Sequence, residues 1–169
     1  RRAAGEPIAY LSGEREFYSS SFKVTPAVLI PRPETELLVE LALERVPSET
    51  GARVLDLGTG CGCVAIAIAR ERPRAEVVAV DASTEAVALA RENADRHAAR
   101  NLTVLGGDWF AAVAGQRFEV VVANPPYVAA SDPHLAEGDL RFEPRQALVA
   151  GPDGLECIEA IIAASGGHL

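Results

Sequence analysis

Residues 54–62 read Val-Leu-Asp-Leu-Gly-Thr-Gly-Cys-Gly, a short apolar run that leads into glycines at alternate positions. We predict a buried strand over Val54–Leu57 and an apolar helix over Cys63–Ala69, with the glycines forming the turn between them. Glycine lets the main chain approach a ligand closely, and the helix directs free N–H groups and its positive dipole end at the same spot. The stretch therefore predicts a turn that binds a nucleoside-type cofactor; the alternative is a tight turn without a ligand.

Further apolar runs alternate with helical patterns along the rest of the chain. They predict three more strands and two more helices: strands Val77–Val80, Leu102–Leu105 and Phe118–Ala123, a helix from Ser83 or Thr84 to Ala94, and a last helix Leu155–Ala164. Near-continuous apolar strands separated by helices predict a parallel sheet covered on both faces, and right-handed crossovers make it doubly wound. The predicted fold class is therefore α/β, with ligands bound outside the carboxyl ends of the strands.

The first part of the chain has a different pattern. Tyr10–Ile30 mixes short extended pieces with Ser and Gly turns, which predicts a β-hairpin arm. Glu34–Val46 is predicted to be a helix, and the residues of its buried face are Leu37, Leu38, Leu41 and Ala42. In the last helix the corresponding residues are Leu155, Ile158, Ile161 and Ile162. The segment 128–152 is predicted to be a long loop with a function.

Composition places the chain among ordinary globular domains. Apolar residues make up 49% of it, and the net charge of −8, with a pI near 4.9, argues against a surface built to hold nucleic-acid phosphates. No apolar run approaches the roughly 18 residues that span a bilayer. We therefore expect a cytoplasmic protein that binds neither nucleic acid stably nor a membrane. The chain contains no Met, which indicates a part of a longer protein.

Cysteine usage predicts neither a disulfide framework nor a metal site. The chain has three cysteines, too few and odd in number for a framework of disulfides. Cys61 and Cys63 have no nearby His or Cys partners that would complete a zinc site.

Acidic residues follow the second and third of the strands predicted after residue 53. Asp81 ends the second of these strands, where a carboxylate can accept hydrogen bonds from both hydroxyls of a ribose or, alternatively, cap the next helix. Asp108 and Trp109 follow the third, where the ring can stack on an adenine whose amine the acid accepts. Trp109 is alternatively a core anchor. A ribose role for Asp81 suits a nicotinamide cofactor and S-adenosylmethionine equally.

The tetrad Asn124-Pro125-Pro126-Tyr127 follows the last predicted strand. Two prolines fix an extended backbone and remove two N–H donors, so that carbonyls are free to face a ligand. The Asn124 side-chain oxygen and the Pro125 carbonyl can accept the two hydrogens of a planar –NH₂ group, and Tyr127 can lie against its flat face. Holding a poorly nucleophilic nitrogen in line with an electrophilic carbon is catalysis by positioning. A proline-rich strand exit without a ligand is the alternative.

Together, these motifs resemble class-I methyltransferases that act on amide or amino nitrogens. Four further stretches resemble the HemK-type glutamine methyltransferases of peptide chain release factors: Gly-Glu-Pro-Ile-Ala-Tyr (5–10), Arg-Glu-Phe (15–17), Ile-Pro-Arg-Pro-Glu-Thr-Glu (30–36) and Arg-Phe-Glu-Pro (141–144). The resemblance implies methyl transfer from S-adenosylmethionine to the side-chain amide nitrogen, N5, of the glutamine in a Gly-Gly-Gln motif. S-adenosylhomocysteine is the second product.

The resemblance also implies roles for individual residues. The residues expected from the resemblance to bind the cofactor are Gly58, Thr59, Gly60, Cys61, Gly62, Asp81, Trp109 and Asn124. Asp108 is expected to bind it as well. The residues expected to hold the glutamine and act in catalysis are Asn124, Pro125, Pro126 and Tyr127. Family members carry an N-terminal helical domain and further strands. We therefore expect residues 1–33 to be a hairpin arm or linker, and 34–169 to be a catalytic domain with a truncated Rossmann-like sheet.

Three other functions remain open at this point. An N6-adenine methyltransferase of DNA or RNA uses the same tetrad on a base amine, although the acidic composition argues against it. A non-catalytic module that binds S-adenosylmethionine is possible for a truncated chain. A nicotinamide-dependent dehydrogenase is the weakest alternative, because nothing in the sequence resembles a hydride-transfer site.

Overall fold

A computed structural model describes all 169 residues of the chain. In chain order the elements are α1 (Ile8–Ser12), β1 (Glu14–Phe17), β2 (Ser20–Lys23), α2 (Glu36–Arg45), β3 (Arg53–Leu57), α3 (Cys63–Glu71), β4 (Glu76–Asp81), α4 (Thr84–Arg96), β5 (Leu102–Gly106), β6 (Val120–Ala123) and α5 (Glu156–Ser165). β1 and β2 form the predicted antiparallel hairpin. The α/β fold with a parallel sheet is confirmed. None of the helices is long and apolar enough to span a membrane.

The order of the strands in the main sheet brings two predicted motifs together. All four strands are parallel, in the order β5-β4-β3-β6, so the chain returns to the other side of β3 when it enters β6. Leu57 at the end of β3 pairs with Val80 on one side and with Ala123 on the other. The glycine turn and the tetrad therefore leave the sheet as neighbours, at the switch point where ligands bind in such folds.

Helices and turns cover both faces of this sheet. Alternate residues of each strand point to opposite faces, which is why Val54 and Leu55 belong to separate hydrophobic clusters. The larger cluster contains the buried faces of α2, α3 and α4 together with the hairpin. The smaller cluster contains Phe110, Phe118 and Ile161 of α5. Burial on both faces explains why the strands are nearly continuous apolar runs in the sequence.

Two predicted helix faces are wrong in part. In α2 the buried residues are Val39 and Ala42, whereas Leu37 and Leu41 are 57% and 41% exposed. The helix carries two apolar stripes: Val39 and Ala42 belong to the larger cluster with the partly buried Leu38 and Leu43 against it, whereas Leu37 and Leu41 stay outside it. In α5 only Ile161 is buried, and Leu155 and Ile162 are 48% and 69% exposed.

Several boundaries also differ from the prediction. Strand β6 begins at Val120 rather than Phe118, because the Phe118 N–H donates to the His168 carbonyl outside the sheet. α4 begins where predicted, since Ser83 Oγ accepts a hydrogen bond from the Ala86 N–H at 3.2 Å. The segment 128–152 has three short 3-10 turns and a parallel bridge between Val128 and Val149.

The hairpin packs into the same core as the rest of the chain. Phe17, Phe22 and Val24 are each 1% exposed and belong to the larger hydrophobic cluster. Residues 24–33 then run beside the carboxyl edge of the sheet, and several of them line the cleft described next. The hairpin therefore shares a hydrophobic core with the main sheet, although its two strands form a separate sheet.

Candidate active site

A cleft of about 260 Å³ opens at the carboxyl ends of β3, β4 and β6. We refer to it as the main cleft. Nine of the residues singled out in the sequence line it: Gly58, Thr59, Gly60, Cys61, Asp81, Asp108, Trp109, Asn124 and Pro126. Motifs that follow four different strands thus meet in one cavity, as expected for the switch point of a doubly wound sheet.

The glycine turn is held to the end of β4 by backbone hydrogen bonds. The N–H groups of Gly58 and Thr59 both donate to the Val80 carbonyl, at 2.9 and 3.1 Å. Gly58 and Gly60 have φ values of 71° and 57°, which residues with a side chain rarely adopt. A Cβ added at Gly60 would meet no atom within 4 Å. The turn therefore needs glycine for its backbone conformation, and it leaves open space in front of Gly60.

Gly62 lies outside the lining of the main cleft. It is buried at the start of α3, where an added Cβ would come within 3.2 Å of Ala90 Cβ on α4 and 3.1 Å of Ile66 Cδ1. Its φ of 85° is also in the left-handed region. The packing of α3 against α4 accounts for this glycine, and its predicted contact with a cofactor has no support in the geometry.

Both carboxylate oxygens of Asp81 face main-chain donors at the cleft. Oδ2 accepts from the Gly60 N–H at 2.8 Å, and Oδ1 accepts from the Ser83 N–H at 2.9 Å. Because Ser83 caps α4, Asp81 is not the cap. An ionised carboxylate has about four acceptor sites. Asp81 thus keeps acceptor capacity toward the cleft while it fixes the position of the glycine turn.

Trp109 is held beside the glycine turn in an unusual backbone conformation. Its φ is 43°, and a bulky residue in the left-handed region costs on the order of 1–3 kcal/mol. A Cβ on Gly58 would lie 3.6 Å from the indole ring, so the ring flanks the turn. Trp109 also packs at the edge of the smaller core cluster. Asp108, which precedes it, is exposed at the cleft.

The tetrad forms the wall between the main cleft and a second cavity of about 540 Å³, which we call the side cavity. Asn124 lines both cavities, Pro126 lines only the main cleft, and Pro125 and Tyr127 line only the side cavity. The Tyr127 side chain stands out into solvent, with 63% of its surface exposed. The tetrad therefore faces the cleft and remains accessible from a second direction.

The side cavity is lined mainly by apolar side chains from α2 and from the segment after the tetrad. These are Leu37, Leu38, Leu41, Leu140 and Leu148, with Tyr127. Leu29, Arg32, Thr35 and Ala147 line both cavities, as Asn124 does. The partly exposed leucines of α2, which the helix does not use for its own packing, are thus placed next to the tetrad.

A protein-family comparison matches residues 34–140 of the chain, which include β3–β6 and the tetrad, to the model described as methyltransferase small domain. The chain belongs to this methyltransferase family. This match excludes the alternative that the glycine turn belongs to a nicotinamide-dependent dehydrogenase.

Several curated proteins are similar to this methyltransferase domain over nearly all of its length. The release factor glutamine methyltransferase of Salmonella typhimurium is 57% identical over 162 residues, covering 96% of this chain and 58% of that protein. The protein of the same name from Pseudomonas aeruginosa is 54% identical over 169 residues, covering 100% of this chain and 61% of that protein. The chain thus spans about 60% of the length of these relatives.

Solved methyltransferase structures share the fold at low sequence identity. The hMettl16 catalytic domain in complex with a MAT2A 3'UTR hairpin aligns with a TM-score of 0.67 and 15% identity, covering 89% of this chain and 57% of that one. A SAM-dependent methyltransferase from Agrobacterium tumefaciens aligns with a TM-score of 0.56 and 21% identity, covering 67% and 39%. These likenesses support the Rossmann-like fold of the methyltransferase domain.

Asp56 is a residue of this methyltransferase site to which the sequence analysis gave no role. It is the penultimate residue of β3 within the main-cleft lining, is 2% exposed, and accepts a hydrogen bond from Thr59 Oγ1 at 2.6 Å. Burial raises the pKa of its carboxyl to about 6, with a further rise from the negative charge of Asp81, while the Thr59 hydroxyl lowers it. The sequence shows an acidic residue next to the glycine turn, but it does not show that this residue is buried beneath the cleft.

This raised pKa makes the stability contribution of Asp56 depend on pH. The contribution is fully present below about pH 4 and is lost as the pH rises through about 6, because the folded state holds the proton more tightly than the unfolded chain. We expect Asp56→Asn, which cannot titrate, to gain about 2 kcal/mol in unfolding free energy relative to wild type between pH 4 and 7. Urea denaturation at each pH measures the difference, and parallel stability curves would contradict it.

Three more cleft residues were not assigned from the sequence. Arg32 and Thr35 belong to the stretch 30–36, quoted only for its family resemblance, and Cys157 comes from α5. The sequence around each of these residues does not indicate a function, because each residue reaches the cleft only through the packing of its segment. The stretch 30–36 was the available clue for the first two.

Proposed function

We propose that this methyltransferase domain transfers a methyl group from S-adenosylmethionine to the side-chain amide nitrogen N5 of the glutamine in the Gly-Gly-Gln motif of peptide chain release factors. One observation carries the proposal: Asn124 lies in the wall shared by two cavities. The main cleft has the groups that bind a nucleoside, and the side cavity opens the tetrad to a second reactant.

The residues of the main cleft fit S-adenosylmethionine. Asp81 can accept the ribose hydroxyls, the Trp109 ring flanks the turn where an adenine can stack, and Asp108 can accept the adenine amine. The open space in front of Gly60 allows a ligand to approach the main chain. S-adenosylmethionine, when bound, supplies an electrophilic methyl carbon on a positively charged sulfur.

The tetrad can position an amide nitrogen for methyl transfer. Asn124 Oδ1 and the Pro125 carbonyl accept the two hydrogens of the glutamine –NH₂, and Tyr127 packs along the planar amide. In the reaction the S–CH₃ bond breaks, an N–CH₃ bond forms, and the nitrogen loses one proton to solvent. Since the methylated amide is a very weak base, it gives up this proton without a strong base in the site. The contribution of the chain is therefore orientation of the nitrogen.

The side cavity supports a protein acceptor over a nucleic acid. Its wall is mainly apolar, with exposed Leu37, Leu41 and Tyr127, and of its two charged residues Glu34 is acidic and Arg32 is paired with Glu143. Phosphate backbones are instead held by basic surfaces. The 54–57% identical relatives are named release factor glutamine methyltransferases, which supports release factors as the acceptor. Because release factors act in translation, we place the reaction in the cytoplasm.

The proposal is tested by incubating the protein with methyl-labelled S-adenosylmethionine and one of three acceptors. These are a release factor, its Gly-Gly-Gln→Gly-Gly-Ala variant, and adenine-containing DNA or RNA. We expect label only in the unmodified release factor. Label in the nucleic acid would favour the N6-adenine alternative, and cofactor binding without label in any acceptor would favour a non-catalytic module.

Leucines of the side cavity provide a second test of a protein acceptor. We expect the double variant Leu37→Ala, Leu41→Ala to raise KM for the release factor about 30-fold, since each lost side chain removes roughly 1 kcal/mol of apolar burial against the acceptor. kcat and the affinity for S-adenosylhomocysteine should stay unchanged. Leu155→Ala, Ile162→Ala is the matched control, because these side chains, at the N-cap of α5 and within it, are similarly exposed. Equal KM values for the two double variants would contradict a role of the side cavity.

A further inference from the structure

Residues 30–36 lie against the tetrad, and the proposed reaction assigns them no role. Of these residues, Arg32 and Thr35 line both the main cleft and the side cavity. Asn124 Nδ2 donates a hydrogen bond to Thr35 Oγ1 at 3.4 Å, and this is the one hydrogen bond of the Asn124 side chain within the chain. The residue that would hold the substrate amide is thus itself held by a hydroxyl group.

In the structure Nδ2 of the Asn124 side chain faces the Thr35 hydroxyl, which leaves Oδ1 as the end available to a ligand. A primary amide has an acceptor oxygen and a donor nitrogen of nearly equal size on one planar carbon, so shape alone does not fix its orientation. With Nδ2 directed to Thr35, Oδ1 occupies the other branch and is free to accept. In the flipped orientation Asn124 would present N–H groups to the N–H groups of the substrate amide, which is repulsive.

Two anchors hold Thr35 in place. On its N-terminal side, Arg32 Nη2 donates to Glu143 Oε2 at 2.6 Å, and Glu143 Oε1 accepts from the Ile30 N–H at 3.0 Å. The Glu143 side chain is fully buried. On its C-terminal side, Glu36 Oε1 accepts from the Tyr18 N–H at 2.9 Å. The segment therefore lies between 128–152 and the hairpin, with limited freedom to move away from Asn124.

The hydroxyl of Thr35 has no competing task in the helix that follows. Thr35 occupies the N-cap position of α2, but its side chain makes no capping hydrogen bond. Its φ and ψ of −70° and −16° are helical, and valine tolerates these values. Removing the hydroxyl should therefore leave the helix intact.

We propose that Thr35 is a positioning residue, whose hydroxyl orients the Asn124 amide so that Oδ1 faces the –NH₂ group of the substrate. This inference rests on the proposed function, because it assumes that Asn124 accepts a hydrogen from an amide. Thr35 is not required to touch the cofactor or the reacting nitrogen. Its effect is expected in kcat, where the orientation of the nitrogen matters, rather than in cofactor binding.

The test compares Thr35→Val, which keeps the shape and loses the hydroxyl, with Thr35→Ser, which keeps the hydroxyl. We expect Thr35→Val to lower kcat for release-factor methylation about 3- to 10-fold, the range of one neutral hydrogen bond. KM, the affinity for S-adenosylhomocysteine and the unfolding midpoint should stay at wild-type values, and Thr35→Ser should restore kcat. Wild-type kcat in Thr35→Val, or equal loss in both variants, would overturn the proposal.

A measurement without turnover separates this inference from the proposed function. In ¹⁵N-labelled protein, the side-chain NH₂ signals of Asn124 should shift in Thr35→Val and stay near their wild-type positions in Thr35→Ser. Unmoved signals in Thr35→Val would overturn the orienting contact even if the protein methylates a release factor. Shifted signals together with no methylation by the wild type would instead leave the contact standing and refute the proposed function.

Discussion

Asn124→Ala is expected to reduce methyl transfer to the release factor by about 100-fold or more while leaving cofactor affinity nearly unchanged. The substitution removes the side-chain acceptor that holds one hydrogen of the substrate amide, and it leaves Asp81 and the glycine turn in place. Pre-organised hydrogen-bond partners at a reacting group have effects of this size in enzymes. The measurement is single-turnover transfer of a labelled methyl group at saturating cofactor.

Cofactor affinity in the same variant serves as the control. Trp109 is the only tryptophan of the chain and lines the main cleft, so its fluorescence reports titration with S-adenosylhomocysteine. We expect wild-type and Asn124→Ala proteins to give similar dissociation constants and similar unfolding midpoints. Unchanged single-turnover rates would contradict the amide-binding role of the tetrad, whereas a silent fluorescence titration at saturation would count against adenine stacking on Trp109.

Asp81→Ala is expected to weaken binding of S-adenosylhomocysteine by about 1–3 kcal/mol, roughly 5- to 150-fold. Two effects add in this direction: the ribose loses a charged acceptor, and the turn loses the bond from the Gly60 N–H. Isothermal titration calorimetry measures the change in binding free energy directly.

An exposed carboxylate provides the matched control for Asp81. Asp95 lies on the outer face of α4, outside both cavities, and Asp95→Ala makes the same change in net charge. We expect its cofactor affinity to equal that of the wild type. Equal affinities in Asp81→Ala and Asp95→Ala would refute the ribose role.

The sheet and the glycine turn were predictable because their signals are local. Val54–Leu57, apart from Asp56, and Val77–Val80 are apolar since both faces of the sheet are covered, and the strands extend at most one residue beyond these limits. Ser83 was predicted as one of two possible caps for α4, and the turn and the tetrad were recognisable from consecutive residues. Their meeting in one cleft followed from the parallel topology, which places the carboxyl ends of the strands at one edge.

Features that depend on distant packing were not predictable in the same way. α2 has two apolar stripes, and the choice of Val39 over Leu37 for the core is made by the elements that pack on it. Gly62 has the same local pattern as Gly58 and Gly60, yet its space is taken by α4. A pattern of residue types does not distinguish a glycine that faces a ligand from one that faces a helix.

Long-range polar contacts show most clearly which features cannot be predicted from the sequence alone. Arg32 and Glu143 are 111 positions apart, and no spacing rule connects them. Asn93 on α4 joins the hairpin to the glycine turn, since its side chain bonds both main-chain groups of Lys23 and donates to the Cys61 carbonyl at 2.8 Å. Such contacts hold the segments around the cleft in place, and they become visible only in three dimensions.

The most direct test of methyl transfer to the Gly-Gly-Gln glutamine is to locate the transferred methyl group on the acceptor. A release factor methylated by this protein is digested, and the peptide with the Gly-Gly-Gln motif is sequenced by tandem mass spectrometry. We expect one added methyl group on the side-chain amide nitrogen of that glutamine, formed at a rate lower by about 100-fold or more when Asn124 is replaced by Ala. A methyl group on another residue, or on the glutamine at an undiminished rate with Asn124→Ala, would contradict the proposal.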